Sequence, residues 1–287
     1  MPTVSVIIPA YNAEPFIADT VQSALDQTYH DLEVIVVDDG STDGTLAALQ
    51  QFGNGVRVHQ QANGGVARAR NTGVSMARGS WVAFLDADDL WLPHKLEQQL
   101  SLSAAPMVFT DRFNIGARGD LPEVQSEVTP MCGGDVFVPL LRENFITNTS
   151  VIIRRELFEA LGGFYTGLNG TEDWDLWIRV AEKHDIGYVA EPLVKYRFHE
   201  ASISRNWARM RRERTQVIAR ALDLDRGIAL DWVTRRRIWA ETWRTNGWDA
   251  GRSGARWNAL ADYARAAMAW PLYPLPYKEA IKVCLNV

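Results

Sequence analysis

The chain has 287 residues, of which 47% are hydrophobic, so it is long enough and apolar enough to form a globular protein with a sizeable core. The net charge of −5 and the two cysteines argue against a nucleic-acid-binding protein and against a disulfide scaffold. No stretch is long and apolar enough to span a bilayer, and no basic leader precedes the first strand, so we expect a cytoplasmic protein.

Short apolar strands alternate with amphipathic helices through the first hundred residues. This alternation predicts a parallel sheet flanked by helices, in a Rossmann-like α/β arrangement. Ligands of such sheets bind beyond the carboxyl ends of the strands. We therefore expect the segments that follow the strands to meet at one edge, namely Pro9–Asn12, Asp38-Asp39 and Asp86–Asp89. The predicted strands are Val4–Ile8, Val34–Val37, Val56–Val58 and Trp81–Leu85.

The remainder of the chain predicts further strands and a helical tail. Met107–Thr110 and Thr149–Ile153 resemble strands, and Glu172-Asp173 opens a helix whose inward face carries Leu176 and Trp177. We expect an α/β domain over residues 1–204 and a helical C-terminal region over residues 205–287.

The sequence Asp86-Ala87-Asp88-Asp89 directly follows the apolar strand Trp81–Leu85. Three carboxylates so close together repel one another unless a cation neutralises them. Hard divalent ions accept such oxygen ligands and often bring substrate phosphates with them. A solvated acidic turn is the alternative, but the context favours a metal-assisted phosphate site, in which Asp89 could instead cap the next helix.

Several motifs in a fixed order resemble family 2 glycosyltransferases of the GT-A type. Together they cover about the first two-thirds of the chain, and the ordered set is specific although no single motif is. The fold expected from this resemblance is a mostly parallel sheet flanked by helices, with a helical C-terminal appendage. The matching segments are Val4–Glu14, Val37–Thr45, Gly65–Gly73, Phe84–Asp89, Thr171–Trp177 and Tyr196–Ser204.

The resemblance implies that residues 1–204 form a catalytic domain, with a nucleotide-binding half over residues 1–105 and an acceptor-binding half over residues 106–204. It also implies a nucleotide-sugar donor site at the sheet edge. In the family, the residue that matches Asp39 accepts a hydrogen bond from N3–H of uracil, although capping of the local turn is an alternative role. Arg70 matches the family's Ala-Arg-Asn element, whereas a solvated charge is the alternative for Arg68. Asp88 is expected to bind Mn²⁺ or Mg²⁺ and Asp86 to contact ribose or a metal-bound water. The other expected donor-binding residues are Pro9, Ala10, Tyr11, Asn12, Glu14, Ala87 and Arg197.

The resemblance also implies a catalytic base and a closing loop. Asp173 would take the proton of the acceptor hydroxyl, while Glu172 and Trp174 would contact donor or acceptor. A helix cap for Asp173 and a core position for Trp174 are the alternatives. His199 would bind the metal or a phosphate, although alone it would be an ordinary surface histidine. Ser202 and Ser204 would close a loop over the donor.

We therefore expect a metal-dependent inverting glycosyltransferase that moves a sugar from a UDP-sugar or another nucleotide sugar to a saccharide or lipid-linked acceptor. Cell-surface polysaccharide or glycolipid assembly is the expected setting. One rival is a sugar-nucleotide nucleotidyltransferase, but Pro9–Asn12 supplies no glycine-rich basic loop for a triphosphate. The other is a non-catalytic nucleotide-sugar- or carbohydrate-binding module on the same fold.

The C-terminal region differs from the rest of the chain in charge. Residues 205–287 contain 16 Lys and Arg against 8 Asp and Glu, together with seven of the eleven tryptophans. Such a segment could contact the inner face of the cell membrane peripherally or pack as a helical appendage. The spacing of Leu260, Tyr263, Ala264, Ala267 and Met268 predicts a packing stripe on one helix.

Overall fold

The computed structural model of the protein describes residues 1–116, 123–198 and 206–285. The chain divides into two compact units. The first comprises Met1–Val136 and Phe145–Glu200, and the second comprises Phe137–Asn144 and Ala201–Val287. The second unit thus takes in a short segment from the middle of the sequence.

Among the described residues, the first unit is built on one nine-stranded sheet. The strands are β1 (Val4–Ala10), β2 (Leu32–Asp38), β3 (Arg57–Gln60), β4 (Trp81–Phe84), β5 (Leu90–Trp91), β6 (Met107–Gly116), β7 (Glu123–Val124), β8 (Ile152–Arg154) and β9 (Gly187–Phe198). Their order in the sheet is β3-β2-β1-β4-β8-β6-β9-β5, and β7 pairs with β6. β1 lies between β2 and β4 and runs parallel to both, whereas β8 is antiparallel to β4. The expected α/β fold with a mostly parallel sheet is confirmed.

The helices of the first unit lie between these strands, as the alternating pattern predicts. They are α1 (Ile17–Leu25), α2 (Thr45–Leu49), α3 (Val66–Ser75), α4 (Lys95–Ser101), α5 (Gln125–Val128), α7 (Arg155–Ala160) and α8 (Glu172–Ala181). The second unit contains α6 (Phe137–Arg142), α9 (Trp207–Leu222), α10 (Asp225–Ala229), α11 (Trp232–Arg252), α12 (Arg256–Ala269) and α13 (Pro274–Leu285).

Strand β1 is buried along its whole length, because helices cover both faces of the sheet. Val6 and Ile8 belong to the apolar core that includes α1, whereas Ile7 lies against α3. Gly73 makes that second contact possible, since a methyl group at this position would collide with Cγ2 of Ile7. Because α3 packs this closely on the sheet, its other residues lie near the edge formed by the carboxyl ends of the parallel strands.

An aromatic cluster anchors α8 to the sheet. The ring of Phe84 on β4 lies 5.0 Å from Phe164 and 6.4 Å from Trp177, measured between ring centroids. Phe158 contacts both Phe84 and Phe164. Trp177 and Leu176 are fully buried, as the sequence predicts for the inward face of this helix. The start of α8 is therefore held rigidly over the end of β4.

In the second unit, polar contacts supply much of the packing between helices. Asp262 on α12 is completely buried and accepts hydrogen bonds from Arg211 at 2.5 Å and 2.8 Å and from Arg265 at 2.6 Å. Arg214 binds Asn246 and Asp249 in the same way. No helix among the residues that the structure describes combines the length and hydropathy needed to cross a bilayer.

The predicted packing stripe on α12 is wrong in part. The buried apolar residues are Ala259, Tyr263 and Ala266, whereas Ala264 and Met268 are exposed. The spacing of apolar residues on α12 is compatible with two neighbouring inward faces. The buried ion pair of Asp262 with Arg211 turns the face that contains Asp262 inward. Apolar side chains of α12 are consequently left on the surface.

The contact between Gly73 and Ile7 gives a first prediction. Changing Gly73 to Ala should lower the free energy of unfolding by about 1–3 kcal/mol, because overpacking outweighs the helix-propensity gain of up to about 1 kcal/mol. Gly251 in α11 is a matched control, since a Cβ there would lie 3.6 Å from Cγ2 of Val283, an ordinary contact. Gly251→Ala should be neutral or stabilising in urea unfolding. Equal effects of the two changes would contradict this account of the α3 packing.

Candidate active site

The loops that follow β1 and β2 are joined by side-chain hydrogen bonds. Oδ1 of Asn12 accepts from the backbone N–H of Thr42 at 2.8 Å, and a carboxylate oxygen of Glu14 accepts from Gly44 N–H at 2.9 Å. Asn12 has a φ of 48°, in the left-handed region that asparagine tolerates. Pro9 and Ala10 end the strand in the core, while Tyr11 is exposed. These contacts form one rim of the site.

Asp39 is buried at the end of β2 and holds the glycine turn before α3. Its carboxylate accepts from Gln61 Nε2 at 2.7 Å, from Gly64 N–H at 2.9 Å and from Gly65 N–H at 2.8 Å. Gly64 N–H also lies 3.1 Å from the second oxygen, so each oxygen of this carboxylate already accepts two contacts. The turn lies beside Asn169, since a Cβ on Gly65 would be 3.7 Å from Oδ1 of Asn169.

The guanidinium of Arg70 on α3 connects two acidic segments. It donates to Glu172 at the start of α8 and, at 2.6 Å, to Oδ1 of Asp86 after β4. The side chain of Arg70 is 5% exposed and that of Glu172 is 3% exposed, so water does not screen this pair. Asn148 completes the group by donating from Nδ2 to Oδ1 of Asp86 at 3.0 Å.

The loop Asp86–Asp89 is fixed through its backbone as well. Thr20 of α1 donates its hydroxyl to the carbonyls of Ala87 and Asp89, each at 2.9 Å. Nε of Arg197 on β9 donates to the carbonyl of Asp88 at 2.9 Å. The backbone N–H of Arg197 donates to Oδ1 of Asp89 at 2.8 Å. Helix α4 begins at Lys95, so Asp89 is not the helix cap that the sequence allowed.

The loop Asp86–Asp89 places three carboxyl groups close together. Asp89 is fully buried, and burial together with the charges of Asp88 and Asp86 holds its pKa well above the ordinary value. One of its carboxylate oxygens is buried without a hydrogen-bond partner. Carboxylate oxygens crowded in this way fit a hard divalent cation. Within residues 1–116, 123–198 and 206–285, however, no three acidic, histidine or cysteine side chains form a complete metal site.

Asp173 lies at the start of α8 and is only partly exposed. Burial, followed by the negative charge of Glu172, raises its pKa to about 7, while Arg70 opposes the shift. Its Oδ1 accepts from the N–H of Trp174 at 2.6 Å. A carboxyl group with a pKa near neutrality can accept a proton at physiological pH. Trp174 itself is buried, which was the alternative role considered for it.

The structure brings together only some of the residues that the sequence selects. Arg70, Asp86 and Glu172 are in direct contact, and Arg197 contacts the backbone of Asp88. Asp39 with Pro9–Glu14 forms a separate group of contacts. His199, Ser202 and Ser204 lie outside the described residues.

Thr20, Gln61 and Asn148 take part in the site but were not predicted. The side chain of each donates a hydrogen bond to a loop in a different part of the sequence. Thr20 is one polar residue on the otherwise apolar face of α1, and it is completely buried. A buried polar side chain needs a hydrogen-bond partner, so the position of Thr20 on the apolar face of α1 could have indicated its contact from the sequence. The residues around Gln61 and Asn148 give no such indication.

Comparison with known proteins places these observations in a family. The family model "Glycosyl transferase family 2" matches residues 5–162. The chain is 36% identical over 213 residues to a putative teichuronic acid biosynthesis glycosyltransferase, TuaG, of Bacillus subtilis, covering 71% of this chain and 82% of that protein. It is 33% identical over 208 residues to the Escherichia coli UDP-Glc:alpha-D-GlcNAc-diphosphoundecaprenol beta-1,3-glucosyltransferase WfgD, covering 71% and 80%. It spans only 34% of the length of a Rickettsia felis relative, an uncharacterized glycosyltransferase that is 31% identical to it.

Solved structures share the fold. TarS 1–349 of Staphylococcus aureus in complex with UDP-GlcNAc aligns with a TM-score of 0.68 and 21% identity, over 99% of this chain and 89% of that one. The mannosyltransferase PcManGT of Pyrobaculum calidifontis, in complex with GDP-Man and Mn²⁺, aligns with a TM-score of 0.61 and 23% identity, over 99% and 80%. From the family match and these relatives together, the chain belongs to glycosyl transferase family 2.

Proposed function

We propose that the protein is a metal-dependent inverting glycosyltransferase that moves a sugar from a UDP-sugar to a hydroxyl group of a saccharide or lipid-linked acceptor. The observation that carries this proposal is the buried contact of Arg70 with both Asp86 and Glu172. Asp86 belongs to the loop assigned to the donor phosphates, and Glu172 precedes the residue assigned as base. One side chain thus holds the two halves of a transfer site at a fixed separation.

Asp173 is the group that accepts the proton. The acceptor oxygen forms a bond to the anomeric carbon of the donor sugar while its proton passes to the carboxylate of Asp173. The bond between the anomeric carbon and the diphosphate oxygen breaks, and the nucleoside diphosphate leaves with that electron pair. Attack from the face opposite to the leaving group inverts the anomeric centre. The raised pKa of Asp173 supports this role, because a base near neutrality is both ionised and basic enough to act.

The leaving diphosphate is assigned to the edge formed by Asp86–Asp89. A bound Mn²⁺ or Mg²⁺, held by Asp88 and by His199 and the diphosphate itself, would supply positive charge for the leaving group. Arg197 holds the backbone carbonyl of Asp88 and the carboxylate of Asp89, and so helps to position the carboxylate of Asp88. The crowding of Asp86, Asp88 and Asp89, which contributes to the raised pKa of Asp89, supports the cation.

The nucleotide base is assigned to the rim formed by Asp39 and the loops after β1 and β2. Uracil presents an N3–H donor, which the carboxylate of Asp39 can accept in place of the side-chain donor of Gln61. Gly65 has no side chain beside Asn169, so a base or ribose can approach the backbone closely. Asn12 and Glu14 hold the two loops of this rim together.

We assign the reaction to the assembly of cell-surface polysaccharide or glycolipid. The names of TuaG and WfgD associate those relatives with teichuronic acid and with a diphosphoundecaprenol-linked sugar. A lipid-linked acceptor would lie in a membrane, and the basic C-terminal region supports peripheral contact with an anionic membrane surface.

The reaction is tested by measuring turnover with a panel of nucleotide sugars. With Mn²⁺ present, the protein should release nucleoside diphosphate slowly from one UDP-sugar and not from GDP- or dTDP-sugars, and chelation should abolish release. Asp173→Asn should lower turnover by about 10²–10⁴-fold, because the proton acceptor is lost. Binding of UDP, measured by calorimetry, should persist in this variant.

Asp175→Asn is the matched control, since it removes another carboxylate from the first turn of α8. Asp175 binds Arg179 at 2.9 Å and not Arg70, so its loss should change turnover by less than about tenfold. Full activity of Asp173→Asn would show that the base is assigned wrongly. UDP binding without turnover of any donor would favour the non-catalytic module.

The raised pKa of Asp173 also predicts how stability depends on pH. The folded protein holds the proton of Asp173 up to a pH of about 7, whereas the unfolded chain releases it near the ordinary value of 3.8. Stability from this group is therefore complete below pH 3.8 and declines as the pH rises to about 7. Relative to wild type, Asp173→Asn should gain about 2 kcal/mol in free energy of unfolding between pH 5 and pH 8. Urea unfolding at both pH values measures this, and an equal difference at the two would contradict it.

The role of Arg70 as a positioning residue predicts a distinct effect of Arg70→Lys. An ammonium group keeps the charge but cannot bond two carboxylates in the geometry of a guanidinium fork. We expect kcat to fall by about 10–100-fold. The shorter lysine side chain holds its charge farther from Asp173, so the lowering of the pKa of Asp173 that Arg70 provides should weaken and the rise of kcat/KM should move to higher pH.

Arg68→Lys provides the control, since Arg68 lies two residues earlier on the same helix and is exposed. It should leave both kcat and the pH profile unchanged. A loss of activity in Arg70→Lys without any movement of the pH profile would mean that Arg70 only stabilises the fold.

A further inference from the structure

One end of the second unit exposes large apolar side chains. Ile228 and Trp232 are each 64% exposed, Met268 is 66% exposed and Leu272 is 85% exposed. Isolated exposed apolar residues are common, but a group of them with a defined position usually marks a binding surface. We call these four residues the apolar end.

Contacts show that the apolar end is one continuous surface. The guanidinium of Arg236 lies 4.8 Å from the ring centroid of Trp232 at the start of α11. The same group donates to the carbonyls of Met268 and, at 2.5 Å, Ala269 at the end of α12. Arg235 binds the carbonyl of Gly227 at 2.6 Å, which places Ile228 beside the start of α11.

Three arginines lie beside the apolar end. Arg235, Arg236 and Arg237 are consecutive, and the hydrogen bonds described for the first two go to backbone carbonyls, which leave the charge of the guanidinium groups in place. The nearby acidic groups offset part of this charge. They are Asp231, which caps α11 and accepts from Thr234, Asp225 at the start of α10 and Glu241 one turn beyond Arg237.

Two of the guanidinium groups lie over tryptophan rings, Arg236 over Trp232 and Arg237 over Trp270, each with Cζ 4.8 Å from the ring centroid. Indole rings and arginine side chains both combine an apolar body with a polar tip, and both accumulate where hydrocarbon meets lipid headgroups. A protein partner would need a matching acidic and apolar surface, whereas an anionic membrane offers both features at once.

We propose that the apolar end binds the surface of membranes that contain anionic lipids. Trp232, Met268 and Leu272 enter the boundary between headgroups and acyl chains, and Arg235–Arg237 contact the lipid phosphates. The proposal deepens the peripheral membrane contact suggested above by naming the surface that makes it. Lipid binding is measured without any sugar substrate, so its failure would leave the proposed transfer reaction unaffected.

The test is co-sedimentation of the full chain with vesicles of phosphatidylcholine mixed with phosphatidylglycerol, and with vesicles of phosphatidylcholine alone. The wild-type protein should bind the mixed vesicles, and high salt should weaken the binding because it screens the arginine charges. The double variant Trp232→Ser with Leu272→Ser should bind at least about tenfold more weakly, since two apolar contacts with lipid are lost. Both residues are exposed, so the variant should fold, which circular dichroism verifies.

Trp257→Ser is the matched control, because Trp257 is even more exposed, at 82%, but lies at the opposite end of α12. Its vesicle binding should equal that of the wild type. Equal loss in both variants, or no binding of the wild type to anionic vesicles, would overturn the proposal. A double variant that binds vesicles normally but changes from dimer to monomer in ultracentrifugation would likewise overturn it and assign the surface to a second copy of the chain.

Discussion

A single buried cation organises the candidate site. Arg70 bonds carboxylates that are 16 and 102 residues away from it in the sequence. A buried ion pair contributes little net stability, because both partners lose hydration, but breaking it leaves an unpaired buried charge. The arrangement therefore specifies geometry more than it stabilises the fold. It determines where the loop after β4 lies relative to the start of α8, and the proposed transfer reaction would depend on that separation.

The candidate site contains more acidic side chains than basic ones. Asp89 and Asp173 both have raised pKa values, and repulsion from neighbouring carboxylates contributes to each shift. This excess weakens the folded state at neutral pH, as active sites often do. The same excess provides a place for a cation and a group able to accept a proton. The same excess of carboxyl groups thus lowers the stability of the fold and supplies the groups for the proposed chemistry.

The second unit has an ion pair in its interior and large apolar side chains on its surface. A carboxylate, Asp262, occupies its interior between two arginines, while Trp232 and Leu272 are on the surface. Burial of ion pairs limits how much apolar surface the helices can cover. The charge asymmetry of the sequence thus corresponds to a real structural difference, in which apolar and basic groups share one surface.

The sequence by itself determined the family, the α/β fold and the strands that lead to the site. Apolar runs and the short motifs after them, such as Asp86–Asp89, are local, and the carboxyl ends of parallel strands necessarily share an edge. The start of α8 at Glu172 was likewise readable from its acidic first turn and apolar face. These features need no knowledge of distant contacts.

Only the tertiary structure decided which polar groups meet. That Arg70 faces Glu172, that Asp39 is bound by a glycine turn, and that Asn148 reaches Asp86 all depend on how separate loops approach one another. The same holds for α12, where a buried ion pair and not the apolar spacing selected the inward face. Hydrogen bonds between segments far apart in sequence leave no periodic signal, because each requires one partner at one position in space.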